Sequence, residues 1–242
     1  NFISNRFKDD YFKFMNYGYY SEELVIALDK DDELERYPIQ LYHHLCIQVE
    51  LKDKVIVEVG SGRGGGANFI ARYHKPKLIT GVDLSPNAVS LCNKSYNLDN
   101  LNFLVGDSAK LPFEDNSVDV ILNVESSHCY PSIPGFISEV CRVLKPGGHF
   151  LYCDLVIDSD LDDHLNKLNN NILSDPNYID ITENIIKASE LMTDDRNNII
   201  NKVNSSFLRK VLKSFASVKG SKIYKSFVDR HYRYISLVTQ KK

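Results

Sequence analysis

The sequence contains no tryptophan and only five cysteines, none of them in a C-x-x-C pair. Disulfide frameworks and zinc ribbons need closely spaced, paired cysteines, so we expect neither, and we expect reduced thiols in a cytoplasmic protein. No apolar run reaches the roughly 18 residues that a membrane span requires. The first twenty residues lack the apolar core that is typical of a signal peptide, so we expect no such leader there.

Neither sign of charge is in large excess, since 29 Lys and Arg residues face 32 Asp and Glu residues for a net charge of −3. A dedicated nucleic-acid binder has a strongly basic face, so we expect no nucleic-acid partner. The 242 residues, 43% of them hydrophobic, are typical of one globular domain. We expect this domain to act as a monomer or homodimer. Eight aromatic residues crowd the first twenty positions.

Short apolar runs alternate with segments of helical periodicity in the first two thirds of the chain. This pattern predicts an α/β fold with a parallel sheet that is buried on both faces. The predicted strands are 55–59, 78–82, 101–105, 118–122 and 149–153, and the predicted helices are 34–50, 67–74, 86–96 and 133–144. The polar stretch 157–204 predicts two or three amphipathic helices, and two further strands are predicted at 222–228 and 232–238.

The sharpest motif is a glycine-rich turn that follows the first predicted strand. Gly60, Gly62 and Gly65 satisfy G-x-G-x-x-G, and the next strand ends at Asp83, about twenty residues on. Glycines let the backbone approach a ligand closely, and an acidic side chain at that distance would bind ribose hydroxyls. The motif alone does not choose between NAD and S-adenosylmethionine (SAM), and a turn that serves only strand–helix packing remains an alternative.

Five sequence blocks in the order of one family extend this motif. The chain resembles the class I SAM-dependent methyltransferases of the small-molecule type, through residues 58–64, 81–85, 106–113, 115–121 and 139–150. The resemblance implies a Rossmann-like fold, with a seven-stranded, mostly parallel sheet and helices on both faces. It also implies an N-terminal aromatic, helical cover (1–33), a SAM-binding core (34–156), a helical lid after the fifth strand (157–204), and a closing helix and strands (205–242).

The cofactor that the resemblance implies is SAM, with S-adenosylhomocysteine as the product. Backbone groups of the glycine turn would lie beneath its amino-acid end, Asp83 would bind the ribose, and Asp107 would bind the adenine. Turn capping is the alternative role for Asp107 and Asn123. The expected cofactor-binding residues are Tyr19, Glu58, Gly60, Ser61, Gly62, Asp83, Leu84, Gly106, Asp107, Ser108 and Asn123.

The residues after the fourth predicted strand read Asn123-Val-Glu-Ser-Ser-His128-Cys129-Tyr-Pro. Methyl transfer is an in-line displacement, so the enzyme mainly aligns the acceptor with the methyl group, and a hydroxyl acceptor must also lose its proton. His128 is the expected general base, because a histidine titrates near neutral pH. A structural role for His128 is the alternative, and we expect no catalytic metal.

The segment Phe14-Met-Asn-Tyr-Gly-Tyr-Tyr20 resembles the N-terminal segment of methyltransferases that act on lipids and natural products, which covers the cofactor. Residues 125–131 resemble a stretch of bacterial enzymes that methylate phthiotriolone-like lipids and fatty acids. Tyr20 stands where that group usually has tryptophan. A helix that merely docks its aromatic side chains is the alternative for the N-terminal segment. The expected substrate-contacting residues are Tyr20, Glu125, Ser127 and Tyr130.

These observations predict an enzyme that moves a methyl group from SAM to a small or lipid-like acceptor, most simply to a hydroxyl oxygen with His128 as base. Two alternatives remain at this point. One is C-methylation of a quinone- or phenol-type acceptor, and the other is a SAM-binding protein that performs no methyl transfer. An NAD-dependent oxidoreductase is a more distant possibility.

Overall fold

The computed structural model describes residues 13–174, 177–201, 209 and 217–242. Its helices are α1 (Arg36–Cys46), α2 (Gly65–Tyr73), α3 (Pro86–Ser95), α4 (Ile133–Val143), α5 (Leu161–Leu168), α6 (Thr182–Leu191), α7 (Thr193–Asn201) and α8 (Lys222–Val228). Its strands are β1 (Val55–Val59), β2 (Leu78–Asp83), β3 (Leu101–Val105), β4 (Val118–Val124), β5 (Leu144–Ile157), β6 (Asn177–Asp180) and β7 (Tyr232–Gln240).

The seven strands form one sheet in the order β3-β2-β1-β4-β5-β7-β6. Strands β1 to β5 pair in parallel, whereas β7 runs antiparallel to both β5 and β6. The predicted Rossmann-like, mostly parallel sheet is therefore confirmed. The chain order reverses beside β1, and open α/β sheets bind their ligands at the carboxyl ends of the strands at such a point.

The central strands β1 and β4 are buried on both faces, as their largely apolar sequences predict. Along β1, Ile56 packs in a cluster with Phe69 of α2, whereas Val57 packs in a second cluster with Phe136 of α4. Side chains of a strand alternate between the two faces, so β1 supplies both layers of the core. Polar side chains that act on a ligand are consequently found where the strands end.

The prediction of a strand at 222–228 is wrong, because this segment is helix α8. The hydroxyl of Ser221 accepts the main-chain N–H of Tyr224 and so caps the first turn of the helix. Ile223 and Phe227 are four residues apart and share one helical face, and Phe227 is fully buried beside Tyr234. The helix cap and this spacing prevail over the strand-like composition.

The remaining strand lies instead within the segment predicted as a helical lid. Strand β6 has four residues, all exposed, and pairs with β7 at the edge of the sheet. A short exposed edge strand needs no apolar alternation, which is why the sequence pattern did not reveal it. Helices α5, α6 and α7 account for the helices expected in this lid segment, residues 157–204.

The N-terminal segment differs from the helical cover that was expected. Residues 1–12 lie outside the described residues, and residues 13–29 form no helix before a 3-10 turn at Lys30–Glu35. The side-chain oxygen of Asn16 accepts the N–H of Gly18, which has φ +81°. A positive φ of this size does not occur in a right-handed helix, so this turn is incompatible with one. Glycine adopts such a φ readily, and the Asn16 side chain stabilises the turn. We call residues 13–20 the cover segment.

Candidate active site

The glycine turn (residues 60–66) joins β1 to α2. Gly60, Gly62 and Gly64 have φ values of +80°, +54° and +77°, a region that side chains disfavour. The N–H groups of Gly60 and Ser61 both donate to the carbonyl of Val82 in β2, at 2.8 and 3.0 Å. The turn is thereby held against the end of the neighbouring strand, with the amino end of α2 behind it.

Glu58 lies beneath this turn and is almost fully buried. One carboxyl oxygen accepts the hydroxyl of Tyr42 at 2.5 Å, and the carboxyl also accepts the main-chain N–H of Ala67 in the first turn of α2. Burial raises the pKa of Glu58 to about 7, although both hydrogen bonds act in the opposite direction. Glu58 therefore fixes the start of α2 relative to β1.

Asp83 closes β2 and faces the glycine turn. Its Oδ2 accepts the N–H of Gly62 at 2.8 Å, and its Oδ1 accepts the N–H of Ser85 at 2.8 Å. Each carboxylate oxygen has two acceptor positions, so both oxygens keep capacity for a ligand hydroxyl. Residue Asp83 is partly exposed, which leaves that capacity accessible.

The next strand end supplies a second set of predicted residues. The side chain of Asp107 accepts the N–H of Ala109 at 2.9 Å, as a turn residue does, and Ser108 is nearly buried. A Cβ at Gly106 would lie 2.7 Å from Val82, so this position has no room for a side chain. Leu84 is 71% exposed, which leaves its side chain available to a flat apolar ligand.

Asn123 is fully buried at the end of β4, beside the glycine turn. Its Nδ2 donates to the carbonyl of Val59 at 3.0 Å and lies 2.7 Å from the Ser126 hydroxyl and 2.9 Å from the Tyr130 hydroxyl. A Cβ at Gly60 would lie 2.2 Å from the Ser126 hydroxyl, so the turn and this cluster are in direct contact. Three predicted binding residues, Gly60, Asn123 and Tyr130, therefore lie together.

His128 lies in a 3-10 turn, Ser127–Cys129, directly after this cluster. Its Nδ1 is 2.7 Å from Oδ1 of Asp154, a fully buried carboxylate in β5, and its own side chain is 38% exposed. Burial opposes protonation of the imidazole, but the hydrogen bond and charge of Asp154, with the charge of Glu125, outweigh it and raise the pKa of His128. The other ring nitrogen remains available to a ligand.

Ser127 does not occupy the position expected of a substrate contact. It is fully buried, and its hydroxyl donates to Asp154 Oδ2 at 2.6 Å while lying 2.8 Å from the Tyr152 hydroxyl. The main-chain N–H of His128 donates to the same carboxylate oxygen at 3.1 Å. Ser127 therefore belongs to the group that holds Asp154, because its hydroxyl is already engaged with Asp154 and Tyr152.

Glu125 comes between β4 and this turn with φ +47°, an uncommon value for a residue with a side chain. Its Oε1 accepts the main-chain N–H of Tyr17 at 2.8 Å and the hydroxyl of Tyr234 at 2.7 Å. Burial raises the pKa of Glu125 to about 7, against the lowering effect of these two donors. Glu125 thus links the cover segment, β4 and β7 at one point.

The cover segment lies over the glycine turn through Lys13 and Met15. A Cβ at Gly65 would lie 2.4 Å from the Lys13 carbonyl oxygen, and one at Gly62 would lie 3.8 Å from the Met15 sulfur. The Tyr19 ring instead stacks on His44 of α1, with ring centroids 4.6 Å apart. The part of the cover that approaches the turn is therefore not the tyrosine that was expected there.

Tyr20 joins the cover segment to the lid segment. Its carbonyl accepts the side-chain amide of Asn184 in α6 at 2.8 Å, and its N–H lies 3.3 Å from the Asn184 carbonyl. The Tyr20 ring packs edge-on against Tyr37. Tyr130, the fourth predicted substrate residue, is partly buried with its hydroxyl in the Asn123 cluster.

Asp154 is the first of three residues of the candidate site that the sequence did not predict. It follows Cys153, which pairs with Val124 at the end of β4, so Asp154 within β5 lies beside Glu125, the residue that follows β4. A carboxylate directly after the predicted strand 149–153, next to the strand that leads to the predicted base, was the available signal. Tyr17 and Tyr234 were also missed, and nothing in their local sequence distinguishes them from packing aromatics.

Within the described ranges, no group of three or more His, Cys, Asp or Glu side chains is arranged to hold a metal ion. Among the helices that the structure describes, none is both long and apolar enough to cross a bilayer.

Comparison with known proteins bears directly on this site. A family profile of the methyltransferase domain matches residues 57–152, the stretch that contains the glycine turn, Asp83 and Asn123. The phthiotriol/phenolphthiotriol dimycocerosates methyltransferase of Mycobacterium leprae is 34% identical over 222 residues, which are 91% of this chain and 82% of that protein. The chain belongs to the SAM-dependent methyltransferases.

A second relative and a solved structure are also named as methyltransferases. The fatty-acid O-methyltransferase of Mycolicibacterium smegmatis is 46% identical over 154 residues, 63% of the chain and 56% of that enzyme, so the match spans little more than half of its length. A solved structure of a candidate sarcosine dimethylglycine methyltransferase from Galdieria sulphuraria superposes with a TM-score of 0.74 at 15% identity. That superposition covers 95% of this chain and 94% of the other, and it shows the shared fold.

The methyltransferase has buried polar atoms that fit the amino-acid end of SAM. Glu58 Oε2, Ser61 Oγ and Asn123 Oδ1 are buried among the described residues without a hydrogen-bond partner. Such atoms are costly unless something pairs with them, and all three belong to the residues expected to surround the cofactor. The ammonium and carboxylate groups of SAM supply both donors and acceptors, so the residues present suit this cofactor.

Proposed function

We propose that this methyltransferase moves the methyl group of SAM to a hydroxyl oxygen of a lipid-like acceptor, with His128 as the general base. The observation that carries the proposal is the 2.7 Å contact between His128 Nδ1 and the buried carboxylate of Asp154. A base held by a third group is the arrangement that activates hydroxyl nucleophiles. The lipid-like acceptor is supported by the names of the two mycobacterial relatives.

The residues around the glycine turn would hold the cofactor. Asp83 would accept hydrogen bonds from the ribose hydroxyls, and Asp107 and Leu84 would contact the adenine. Glu58, Gly60, Ser61, Gly62 and Asn123 would surround the amino-acid end. Gly106 and Ser108 would shape the adenine side, and Tyr19 would act through packing of the cover segment. When bound, SAM supplies an electrophilic methyl carbon and takes the bonding electron pair onto sulfur as the carbon–sulfur bond breaks.

His128 would accept the proton that the acceptor hydroxyl loses. Asp154 has no proton to give while ionised, so the His128–Asp154 contact requires the proton to be on Nδ1. The lone pair of Nε2 is then free for the acceptor hydroxyl. The contacts that raise the pKa of His128 also stabilise the imidazolium formed during transfer. His128 is protonated, and no longer acts as a base, when the pH falls below this raised pKa.

Tyr20, Glu125 and Tyr130 are the proposed residues around the acceptor. All three are partly exposed and belong to the cover segment or to the loop that follows β4. Glu125 and Tyr130 lie beside His128 in the loop after β4, and Tyr20 belongs to the cover segment, whose Tyr17 N–H contacts Glu125; these placements support the role. Ser127 is not included, because its hydroxyl is already paired with Asp154 and Tyr152.

Two acceptors separate a base from a structural histidine. A long-chain alcohol must lose a proton during methylation, whereas a fatty-acid carboxylate at pH 7 is already ionised. We expect His128→Ala to reduce methyl-ether formation from the alcohol by about 10²- to 10⁴-fold while leaving methyl-ester formation from the fatty acid within a few-fold. Radiolabelled methyl transfer measures both products, and calorimetry with S-adenosylhomocysteine checks that cofactor affinity is retained.

Cys129→Ala is the matched control, since Cys129 is the exposed neighbour of His128 in the same turn. This variant should keep both activities. Unchanged ether formation in His128→Ala would overturn the base assignment. Binding of NAD with no binding of S-adenosylhomocysteine would overturn the proposed cofactor.

A further inference from the structure

A chain of hydrogen bonds extends from Asp154 away from His128 and ends in the lid segment. The Ser127 hydroxyl donates to Asp154 Oδ2 at 2.6 Å and lies 2.8 Å from the Tyr152 hydroxyl. The Tyr152 hydroxyl lies 2.7 Å from Nε2 of His164, which belongs to α5. Tyr152 and Ser127 are fully buried and His164 is half-buried, so water does not compete along most of the chain.

The direction of each hydrogen bond follows from the number of protons available. The single hydroxyl proton of Ser127 points to Asp154, so Tyr152 must donate to Ser127. The single hydroxyl proton of Tyr152 is then used, so His164 must donate from Nε2 to the tyrosine oxygen. Burial lowers the pKa of His164, which favours the neutral ring with a single proton. That proton lies on Nε2, because the Tyr152 oxygen has no proton left to donate to it.

We infer that His164 is a positioning residue that acts through Tyr152 and Ser127 to set the strength with which Asp154 holds His128. In this proposal none of the linked residues His164, Tyr152 and Ser127 touches the acceptor. Each donor polarises the next, so Ser127 is a stronger donor to Asp154 when Tyr152 donates to it. A donor to a carboxylate stabilises its charge and reduces its attraction for a neighbouring imidazolium.

The consequence for His128 has a definite sign. Loss of the donor chain leaves more of the Asp154 charge for His128, so the pKa of His128 rises further. Two charged side chains face His128, Asp154 from β5 and Glu125 from the end of β4, and Glu125 in turn contacts Tyr17 and Tyr234. Among the described residues Glu125, Tyr17 and Tyr234 make no hydrogen bond to Ser127, Tyr152 or His164, so a change in these three donors reaches His128 through Asp154.

The test is an NMR titration of His128 in four full-length variants. Tyr152→Phe and His164→Leu break the chain, and we expect each to raise the pKa of His128 by about 0.3 to 1 unit. His164→Gln keeps a donor at the position of Nε2 and should restore the wild-type titration. Ser127→Ala removes the donor itself and should give a shift at least as large. Each variant is compared with the wild type in thermal unfolding.

The inference rests on the proposed function only for its effect on rate. If His128 is the base, Tyr152→Phe should shift the acid limb of kcat upward by the same amount with KM unchanged, and kcat should recover at high pH. A variant that merely loosened the fold would lose activity at every pH. An unchanged His128 titration in both Tyr152→Phe and His164→Leu overturns the inference, whereas active His128→Ala overturns the base and leaves the titration as a separate result.

Discussion

The main-chain N–H of Tyr17 donates to the carboxylate of Glu125 at 2.8 Å, across 108 positions of sequence. One partner belongs to the cover segment above the glycine turn and the other to the residue that precedes the proposed base by three positions. Because the donor is a backbone group, the contact depends on the shape of the cover segment and on the acceptor at position 125, whatever side chain stands at position 17. Glu125 would therefore join the cover segment to the acceptor side of the proposed site.

Glu125→Ala should weaken the binding of S-adenosylhomocysteine, because the cover segment loses its acceptor beside the site. A hydrogen bond to a charged group contributes about 1.5–3 kcal/mol, so we expect a loss of tenfold or more in affinity. Glu125→Gln keeps the side-chain oxygen and should bind within a few-fold of wild type. Calorimetry measures both, and equal affinities in the two variants would disprove the link.

Glu125 should also make stability depend on pH. Its pKa is raised to about 7 in the folded protein and is about 4.3 when unfolded. The folded state therefore keeps a proton that the unfolded state has released, and stability falls as the pH rises from about 4.5 to about 7. Relative to wild type, Glu125→Gln should gain at most about 3 kcal/mol over this range, at 1.36 kcal/mol per pKa unit.

Urea unfolding of both proteins at pH 5 and pH 7.5 measures this gain. Glu35 and Glu58 also have pKa values raised to about 7 by burial, so the wild-type slope contains their shares too. The comparison isolates Glu125 because only that carboxyl differs. A stability difference that is the same at both pH values would contradict the prediction.

Two glycines of the turn should respond differently to alanine. Both have positive φ, but a Cβ at Gly60 would lie 2.2 Å from the Ser126 hydroxyl, whereas one at Gly62 meets only the Met15 sulfur at 3.8 Å. Gly62→Ala should cost about 1 kcal/mol of unfolding free energy from backbone strain alone. Gly60→Ala should cost clearly more and displace Ser126. Equal costs in denaturant unfolding would show that the clash is relieved elsewhere.

Asp83→Ala should reduce cofactor affinity by two routes. It removes the proposed ribose acceptor, and it leaves the N–H of Gly62 without its 2.8 Å partner. We expect a loss of about 10- to 100-fold for S-adenosylhomocysteine. Asp107→Ala serves as a comparison: it removes the proposed adenine contact but leaves the glycine turn intact, since Asp107 bonds within its own turn among the contacts described, so its loss should be smaller. Unaltered affinity in Asp83→Ala would contradict the proposed cofactor placement.

Asp154→Asn should move the activity of the enzyme to lower pH. The carboxylate of Asp154 raises the pKa of His128, so an uncharged amide lowers it and more of the base is neutral in mild acid. Maximal kcat should nevertheless fall, because an amide stabilises an imidazolium less well. The pH profile of kcat measures both effects, and a profile that keeps its midpoint would separate Asp154 from the base.

The sheet and the glycine turn could be predicted because each rests on local sequence. Residues 55–59 form a run of β-branched residues that only Glu58 interrupts, and glycine best suits the three positive φ values that follow. Asp83 and Asn123 followed from the rule that parallel strands place their ends together. These features need few contacts between distant residues.

Other features could not be predicted because they depend on distant partners. Ser127 has the local sequence of a loop residue, and its burial comes from Tyr152 and Asp154, more than twenty positions away. Strand β6 forms by pairing with the edge strand β7. Helix α8 is stabilised because Phe227 packs beside Tyr234. Periodicity within one segment contains none of this information.

The cover segment is attached to the lid segment at three points. Tyr20 and Asn184 exchange hydrogen bonds, Arg196 donates to the carbonyl of Asn16 at 2.9 Å, and a Cβ at Gly18 would lie 2.5 Å from the methyl carbon of Met192. Neither segment can lift away without breaking contacts with the other. We therefore expect exchange of the spent cofactor and departure of the methylated product to share one opening event, with the same rate constant in stopped-flow release.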